Sequence, residues 1–199
     1  MYIVCLDLES ILIPEIWLSV AKKKKIKELE LTTRDLPDYE ALMKRRLKIL
    51  QAHNIKLRDI QKIIKKIEPL NGALSFLNWL RKRCPVIILS DTFIEFGNIL
   101  MEKLDYPTLF CNSLEIDKNS FIKNYRLRQK NGKKEFVKAL KSLGFKVIAI
   151  GDSYNDISML READIGILLK APTELKKEFP QFPNAQNYRE LKSNLKKYI

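Results

Sequence analysis

The chain has 199 residues, 46% apolar and 31% charged, with 6 Gly and 8 Pro. That length and balance fit one globular domain, or one core carrying an insertion, and exclude a disordered, collagenous or low-complexity chain. The 37 Lys and Arg exceed the 24 Asp and Glu by 13, a surplus that bears on polyanion binding and not on fold. Cys5, Cys84 and Cys111 show no CxxC or Cys/His spacing. Neither a disulfide framework nor structural zinc is therefore expected, and reduced thiols in a cytoplasmic protein are the simplest reading. No run approaches the roughly 18 apolar residues of a membrane span. The opening MYIVCLDLES carries acids where a signal peptide needs a basic region, so neither a membrane partner nor secretion is expected. The single histidine, His53, excludes HExxH proteases and poly-histidine metal centres. Chemistry falls to carboxylates, lysines and hydroxyls.

In chain order, a short β-branched run at Tyr2 to Leu6 predicts a buried parallel strand. Residues 14–69 then break the pattern. They hold no convincing strand, but Tyr39, Leu42, Met43, Leu47 and Leu50 form one helical stripe, and Leu57, Ile60, Ile63, Ile64 and Ile67 another. This segment, bordered by Pro14 and Pro69, reads as a helical insertion into a core formed by residues 1–13 and 70–199. Leu74, Leu77 and Leu80 predict a helix, Val86 to Leu89 a strand, and Phe136, Val137, Leu140 and Leu143 a helix closed by Gly144. Val147 to Ile150 and Ile165 to Leu169 complete the strands. Strands alternating with helices imply an α/β fold, a doubly wound Rossmann-like parallel sheet.

Such sheets bind ligands beyond the carboxyl ends of their strands. Asp7 and Glu9 stand after the first strand, Ser90-Asp91-Thr92 after the second, and Gly151-Asp152-Ser153-Tyr154-Asn155-Asp156 after the strand at 147–150. Asp7 and Asp152, with Asp156 as a further candidate, would repel one another at one sheet edge unless a cation sits among them. Oxygen-only ligands of this kind favour Mg²⁺. Ser90 and a lysine, Lys133 or Lys134, could neutralise a phosphate. Together the pieces describe phosphoryl transfer.

Asp7-Leu8-Glu9, Ser90, a lysine near 133 and Gly151-Asp152-x-x-Asn155-Asp156 resemble, in order and spacing, the four motifs of the haloacid dehalogenase superfamily of phosphatases. The insertion lies where that superfamily carries its first type of cap. The runs CLDLESILIPEIW, TTRDLPDYEALMKRRLKIL, VIILSDTF, LRQK, GDSYND and EFPQFP are similar to the phosphoserine phosphatase branch whose members also act as phosphoserine:homoserine phosphotransferases. The likeness spans residue 2 to about residue 190.

The resemblance implies an Mg²⁺-dependent hydrolase of O-phosphoserine, a small-molecule substrate, with homoserine as an alternative phosphoryl acceptor. It implies Asp7 as nucleophile and Glu9 as general acid and base. Asp7, the Glu9 carbonyl and Asp152 would hold the metal, and Ser90 and Lys133 the phosphate, with Asn155 close by and Asp91 also among the substrate-binding residues. Glu15 would meet the substrate ammonium and Arg46 its carboxylate. Two positions depart from the commoner pattern: Glu9 stands where aspartate is usual, and Asp91 where many phosphoserine phosphatases carry glycine. Both belong to the phosphotransferase-capable branch. Lys133 is preferred to Lys134 because it aligns with that branch.

Arg46 stands out without any resemblance, because it falls on the apolar stripe of its own helix beside Leu42, Met43 and Leu50. A charge there needs a partner, either a carboxylate ligand in fork geometry or an acid of the cap. Trp17 and Trp79 read as packing, His53 as a surface or capping residue, and Cys5 as an inert buried thiol. The Lys22 to Lys25 run reads as a solvated helix face, and no nucleic-acid partner is expected. A homodimer is expected only because soluble enzymes commonly form one.

Overall fold

The structure is a computed structural model and describes every residue except Arg34 and Pro37, so that part of the TTRDLPDYEALMKRRLKIL run lies outside the described residues. Seven strands form one sheet: β1 (Tyr2–Leu6), β2 (Val86–Phe93), β3 (Thr108–Ile116), β4 (Ile122–Arg126), β5 (Lys146–Gly151), β6 (Ile165–Leu169) and β7 (Asn184–Ala185). Their spatial order is β4-β3-β2-β1-β5-β6-β7, parallel except for the β3–β4 pair. The predicted α/β sheet is thus present. β1 and β6 fall on the predicted runs, β5 extends its run by one residue at each end, and β2 continues four residues past Leu89. β3, β4 and β7 carry no apolar run that would have announced them.

Alternation along the strands feeds two cores. Val4, Leu6, Ile88, Ile148 and Ile150 pack on one face. Ile3, Cys5, Leu89, Val147 and Ala149 pack on the other. A strand buried on both faces must be apolar at every position, which is why these segments read as continuous β-branched runs. Each fully buried Ile or Leu contributes roughly 1.5–3 kcal/mol of burial free energy. The first core is covered by α4 (Ala73–Arg81), α5 (Ile94–Lys103) and α9 (Tyr188–Leu195) through Phe76, Leu77, Phe96, Leu100, Leu191 and Leu195. The second is covered by α6 (Gly132–Ser142), α7 (Ile157–Glu162) and α8 (Thr173–Glu178) through Val137, Leu140, Met159, Leu160 and Leu175. Gly144, at φ +82°, follows α6 in the left-handed conformation its missing Cβ permits.

Residues 14–69 carry α1 (Ile16–Lys24), a short 3₁₀ turn at Lys27–Leu29, α2 (Tyr39–Ala52) and α3 (Leu57–Ile64). Helix α2 starts where Asp38 accepts hydrogen bonds from the Glu40 and Ala41 amides. Helices α1 and α3 pack together, α3 rests on α5, and α2 leans on β4 through a Tyr39–Tyr125 edge contact at 5.9 Å. The two chain crossings meet where the Leu70 amide donates to the Leu12 carbonyl. The Tyr188 hydroxyl of α9 holds the same loop by donating to the Ile11 carbonyl at 2.6 Å. Among the described residues no helix is long and apolar enough to cross a membrane.

Candidate active site

Strand ends deliver the polar residues. Asp7 leaves β1 with its amide bonded to the Ile150 carbonyl, which holds it level with the end of β5. On β2 the ladder to β3 shifts register between Leu89 and Phe93, where Leu89 pairs Phe110 and Phe93 pairs Asn112. The extra residues on β2 interrupt the regular ladder, and in this irregular stretch Ser90, itself buried, and Asp91 line a small cavity. At the end of β5, Gly151 is not at positive φ, but it has no room for a side chain. A Cβ there would collide with the Asp156 side chain.

Lys133, on the first turn of α6, is buried at 6% exposure and lies between carboxylates. Its Nζ is 2.7 Å from Asp7 Oδ1, 2.8 Å from Asp156 Oδ1 and 3.5 Å from Asp91 Oδ2. Burial disfavours the ammonium, yet Asp156, Asp7 and Asp91 outweigh it and hold Lys133 well above the usual lysine range. Burial likewise pushes Asp7 well above the carboxylate range, against the opposing pull of Lys133. Asp156 is fully buried, and its Oδ2 accepts from the Asp152 amide and from the Ser153 amide and hydroxyl. It therefore fixes both the lysine and the loop that carries Asp152. Asn155 donates from Nδ2 to Asp91 Oδ2 at 3.1 Å.

The opposite wall comes from residues 14–69. Glu9 Oε2 accepts from the Ile16 amide at 2.7 Å, and Glu15 Oε1 accepts from the Ser10 hydroxyl at 3.2 Å. Burial, reinforced by Glu15, raises the Glu9 carboxyl to about 8. Arg46 is 7% exposed, with its guanidinium 4.7 Å above the Trp17 ring. Among the described residues Nη2 donates to the Leu31 carbonyl at 3.0 Å, Nη1 reaches only Met43 Sδ at 3.8 Å, and Nε has no hydrogen-bond partner. Burial lowers its pKa to about 10. Among the described residues no carboxylate lies within ion-pair distance of Arg46, so the acid of the cap weighed as its partner is not there.

One cavity of about 70 Å³ is lined by Asp7, Glu9, Glu15, Arg46, Ser90, Asp91, Lys133, Asp152 and Asn155, whereas Asp156, the further candidate, is paired with Lys133 and does not line it. Lys134 does not line it. Trp17, read from sequence as packing, both packs and lines the cavity under Arg46. Tyr39, read as a stripe residue, also lines it, and its hydroxyl donates to the Asp91 carbonyl at 3.0 Å. The signal for Tyr39 was available, since it opens a buried helix stripe yet carries a polar tip that needs a partner.

The donor set suits a hard divalent cation. Asp7, Asp152 and Asp156 place one oxygen each within 4.8 Å of the others, all three residues buried. Asp7 and Asp156 face the one Lys133 ammonium, and with Asp152 beside them the cluster gathers three buried carboxyl groups around a place where a divalent cation would offset their charge. The Glu9 carboxylate is not part of this cluster, because it is turned toward the Ile16 amide.

Residues 11–164 match the haloacid dehalogenase-like hydrolase family. The chain belongs to that family. It is 54% identical over 192 residues to a phosphoserine phosphatase ThrH of Pseudomonas aeruginosa, an alignment covering 96% of this chain and 94% of that protein. It is 53% identical to a phosphoserine phosphatase of Pseudomonas syringae pv. tomato, covering 96% and 80%. The fold matches an apo phosphoserine phosphatase crystal structure with a TM-score of 0.78 at 24% identity, over 99% of this chain and 98% of the other. As a haloacid dehalogenase-like hydrolase, the protein is an enzyme.

Proposed function

We propose that the protein is a cytoplasmic, Mg²⁺-dependent phosphatase that converts O-phospho-L-serine to serine and phosphate through an aspartyl-phosphate. Residues 14–69 act as its cap. The relatives at 54% and 53% identity bear the phosphoserine phosphatase name. The observation that carries the substrate class is Arg46, a buried guanidinium without a carboxylate partner, in the same cavity as Asp7 and Glu15. A zwitterionic amino acid supplies what that wall lacks, a carboxylate for Arg46, and offers its ammonium to Glu15.

In the first half-reaction an Asp7 carboxylate oxygen, whose ionised form the Lys133 ammonium 2.7 Å away favours against burial, attacks phosphorus and the bond to the seryl oxygen breaks, while Glu9 gives that oxygen its proton. Burial keeps the Glu9 carboxyl protonated near neutral pH, the form this step needs. In the second half-reaction Glu9 takes a proton from water, whose oxygen attacks phosphorus, releasing phosphate and restoring Asp7. Ser90, Lys133 and Asn155 hold the phosphoryl oxygens, and Asp156 keeps Lys133 aimed at Asp7. Asp7, Asp152 and the Glu9 carbonyl would hold Mg²⁺, whose charge offsets that of the transferring group. Homoserine in place of water would accept the phosphoryl group by the same second half-reaction.

The test is phosphate release from O-phosphoserine with Mg²⁺ and with chelator, beside Asp7→Asn and a panel of sugar and nucleotide monophosphates. Metal-dependent release selective for phosphoserine and absent from Asp7→Asn is expected. A preference for a phosphate without an amino-acid moiety would overturn the roles of Arg46 and Glu15.

A further inference from the structure

Asp91 sits where an anion should be unwelcome. Its carboxylate accepts from Asn155 Nδ2 at 3.1 Å and faces Lys133 Nζ at 3.5 Å. Both are groups that hold phosphate in the function proposed above, on which this inference rests. An ammonium has three N–H donors. Two of those of Lys133 are directed at Asp7 and Asp156, which leaves one, and Asp91 Oδ2 is a further carboxylate oxygen within ion-pair distance of the nitrogen.

The main chain of Asp91 is held apart from these two donors, and its side chain is partly open to solvent. Its carbonyl accepts from the Tyr39 hydroxyl at 3.0 Å and from Asn112 Nδ2 at 3.2 Å. Its side chain is 40% exposed, against 5% for Lys133. A larger cavity of about 640 Å³ adjoins the small one and shares Tyr39, Ser90, Asp91, Lys133 and Asn155 with it. Rotation about the side-chain bonds can therefore carry the carboxylate off its two donors into open space without disturbing the pinned backbone.

We infer that Asp91 is an internal stand-in for phosphate, its carboxylate holding Asn155 and Lys133 in the empty site and being displaced into the larger cavity when a phosphoryl group arrives. Every phosphate species must then compete with Asp91. A phosphoester held also through Arg46 and Glu15 competes well. Inorganic phosphate, with no amino-acid part to bind, competes poorly and leaves. Asp91 thus weakens phosphate binding in general and speeds release of the product, while Arg46 and Glu15 supply the substrate's compensating hold.

The experiment is calorimetric titration of the Mg²⁺-loaded protein with inorganic phosphate, for the parent and for Asp91→Asn and Asp91→Gly, alongside competitive inhibition of phosphoserine turnover by phosphate. Asp91→Gly covers the case in which Asp91→Asn misfolds, since both leave the pinned carbonyl in place; melting curves identify folded variants. Phosphate affinity is expected to rise about tenfold in both, as removal of a charge a few ångströms from an anion requires. Glu135→Gln, which removes a charge from the wall of the larger cavity without touching either donor, is expected to change affinity less than twofold. A rise below threefold at Asp91, or an equal rise in Glu135→Gln, would overturn the inference. Because the titration needs no turnover, tighter phosphate binding without phosphoserine hydrolysis would count against the proposed substrate alone, and hydrolysis with unchanged phosphate affinity against Asp91 alone.

Discussion

A buried arginine whose Nε meets nothing lowers the stability of the empty protein, because desolvation of the charge is only partly offset by the Leu31 carbonyl and the Trp17 face. That arrangement makes sense for a ligand-binding residue. Substrate completes the pairing, and the strain of the empty state becomes selectivity for a carboxylate. Arg46→Met separates the two effects. Methionine fills similar space without charge beside Met43 and Trp17, so the melting temperature of the unliganded variant is expected to rise. The KM for phosphoserine is expected to increase roughly 10- to 100-fold, the loss that follows deletion of a charge-assisted hydrogen-bonding partner. Thermal melts and steady-state kinetics on the same preparation check both. A variant that melts lower and keeps its KM would assign Arg46 to structure.

Strands and turns, in contrast, place the reacting groups by small backbone departures that apolar patterning does not encode. The apolar runs that become β1, β5 and β6 were legible because a strand covered on both faces has no polar position to hide. Polar edge strands were not: β4 reads IKNYR, exposed at three of its five positions, and gives no periodic signal. The bulge after Leu89 was hidden for the same reason, since Ser90, Asp91 and Thr92 look like a loop and are in fact strand. Site residues were more legible than the elements that carry them, because Asp7 and Asp152 each abut a hydrophobic run. Tyr39 and Trp17 were missed as cavity walls because an aromatic on an apolar stripe looks the same whether it faces a core or a ligand. At the β5 turn, Gly151→Ala tests how tightly an element must fit. The added methyl collides with Asp156, which orients Lys133 and the Asp152 loop. Displacement of that machinery by about an ångström is expected to lower kcat about 10²-fold with the fold retained. Kinetics and a circular-dichroism spectrum read this directly; unchanged kcat would mean that the Asp156 network does not set the reacting geometry.

The same close packing governs how the molecule as a whole responds to alkali. All three thiols are buried, and burial pushes Cys5 up to about 12 and Cys84 and Cys111 up to about 11, from 9.0. For Cys84 and Cys111 the thiolate fraction at pH 8 falls about a hundredfold below that of an unfolded chain. Between pH 9 and about 11 the unfolded chain has released these protons and the folded one has not. The folded state then binds more protons, so stability falls as pH rises through that window. Below pH 9 the thiols are protonated in both states and contribute no slope. Native protein treated with iodoacetamide at pH 8 is thus expected to label at a small fraction of the rate seen in denaturant, and the melting temperature is expected to decline from pH 9 toward 10. Labelling of the native protein as fast as the unfolded chain, followed by mass spectrometry, would show that the helices over β1 and β3 open readily, and that the two cores are not the cooperative unit their packing implies.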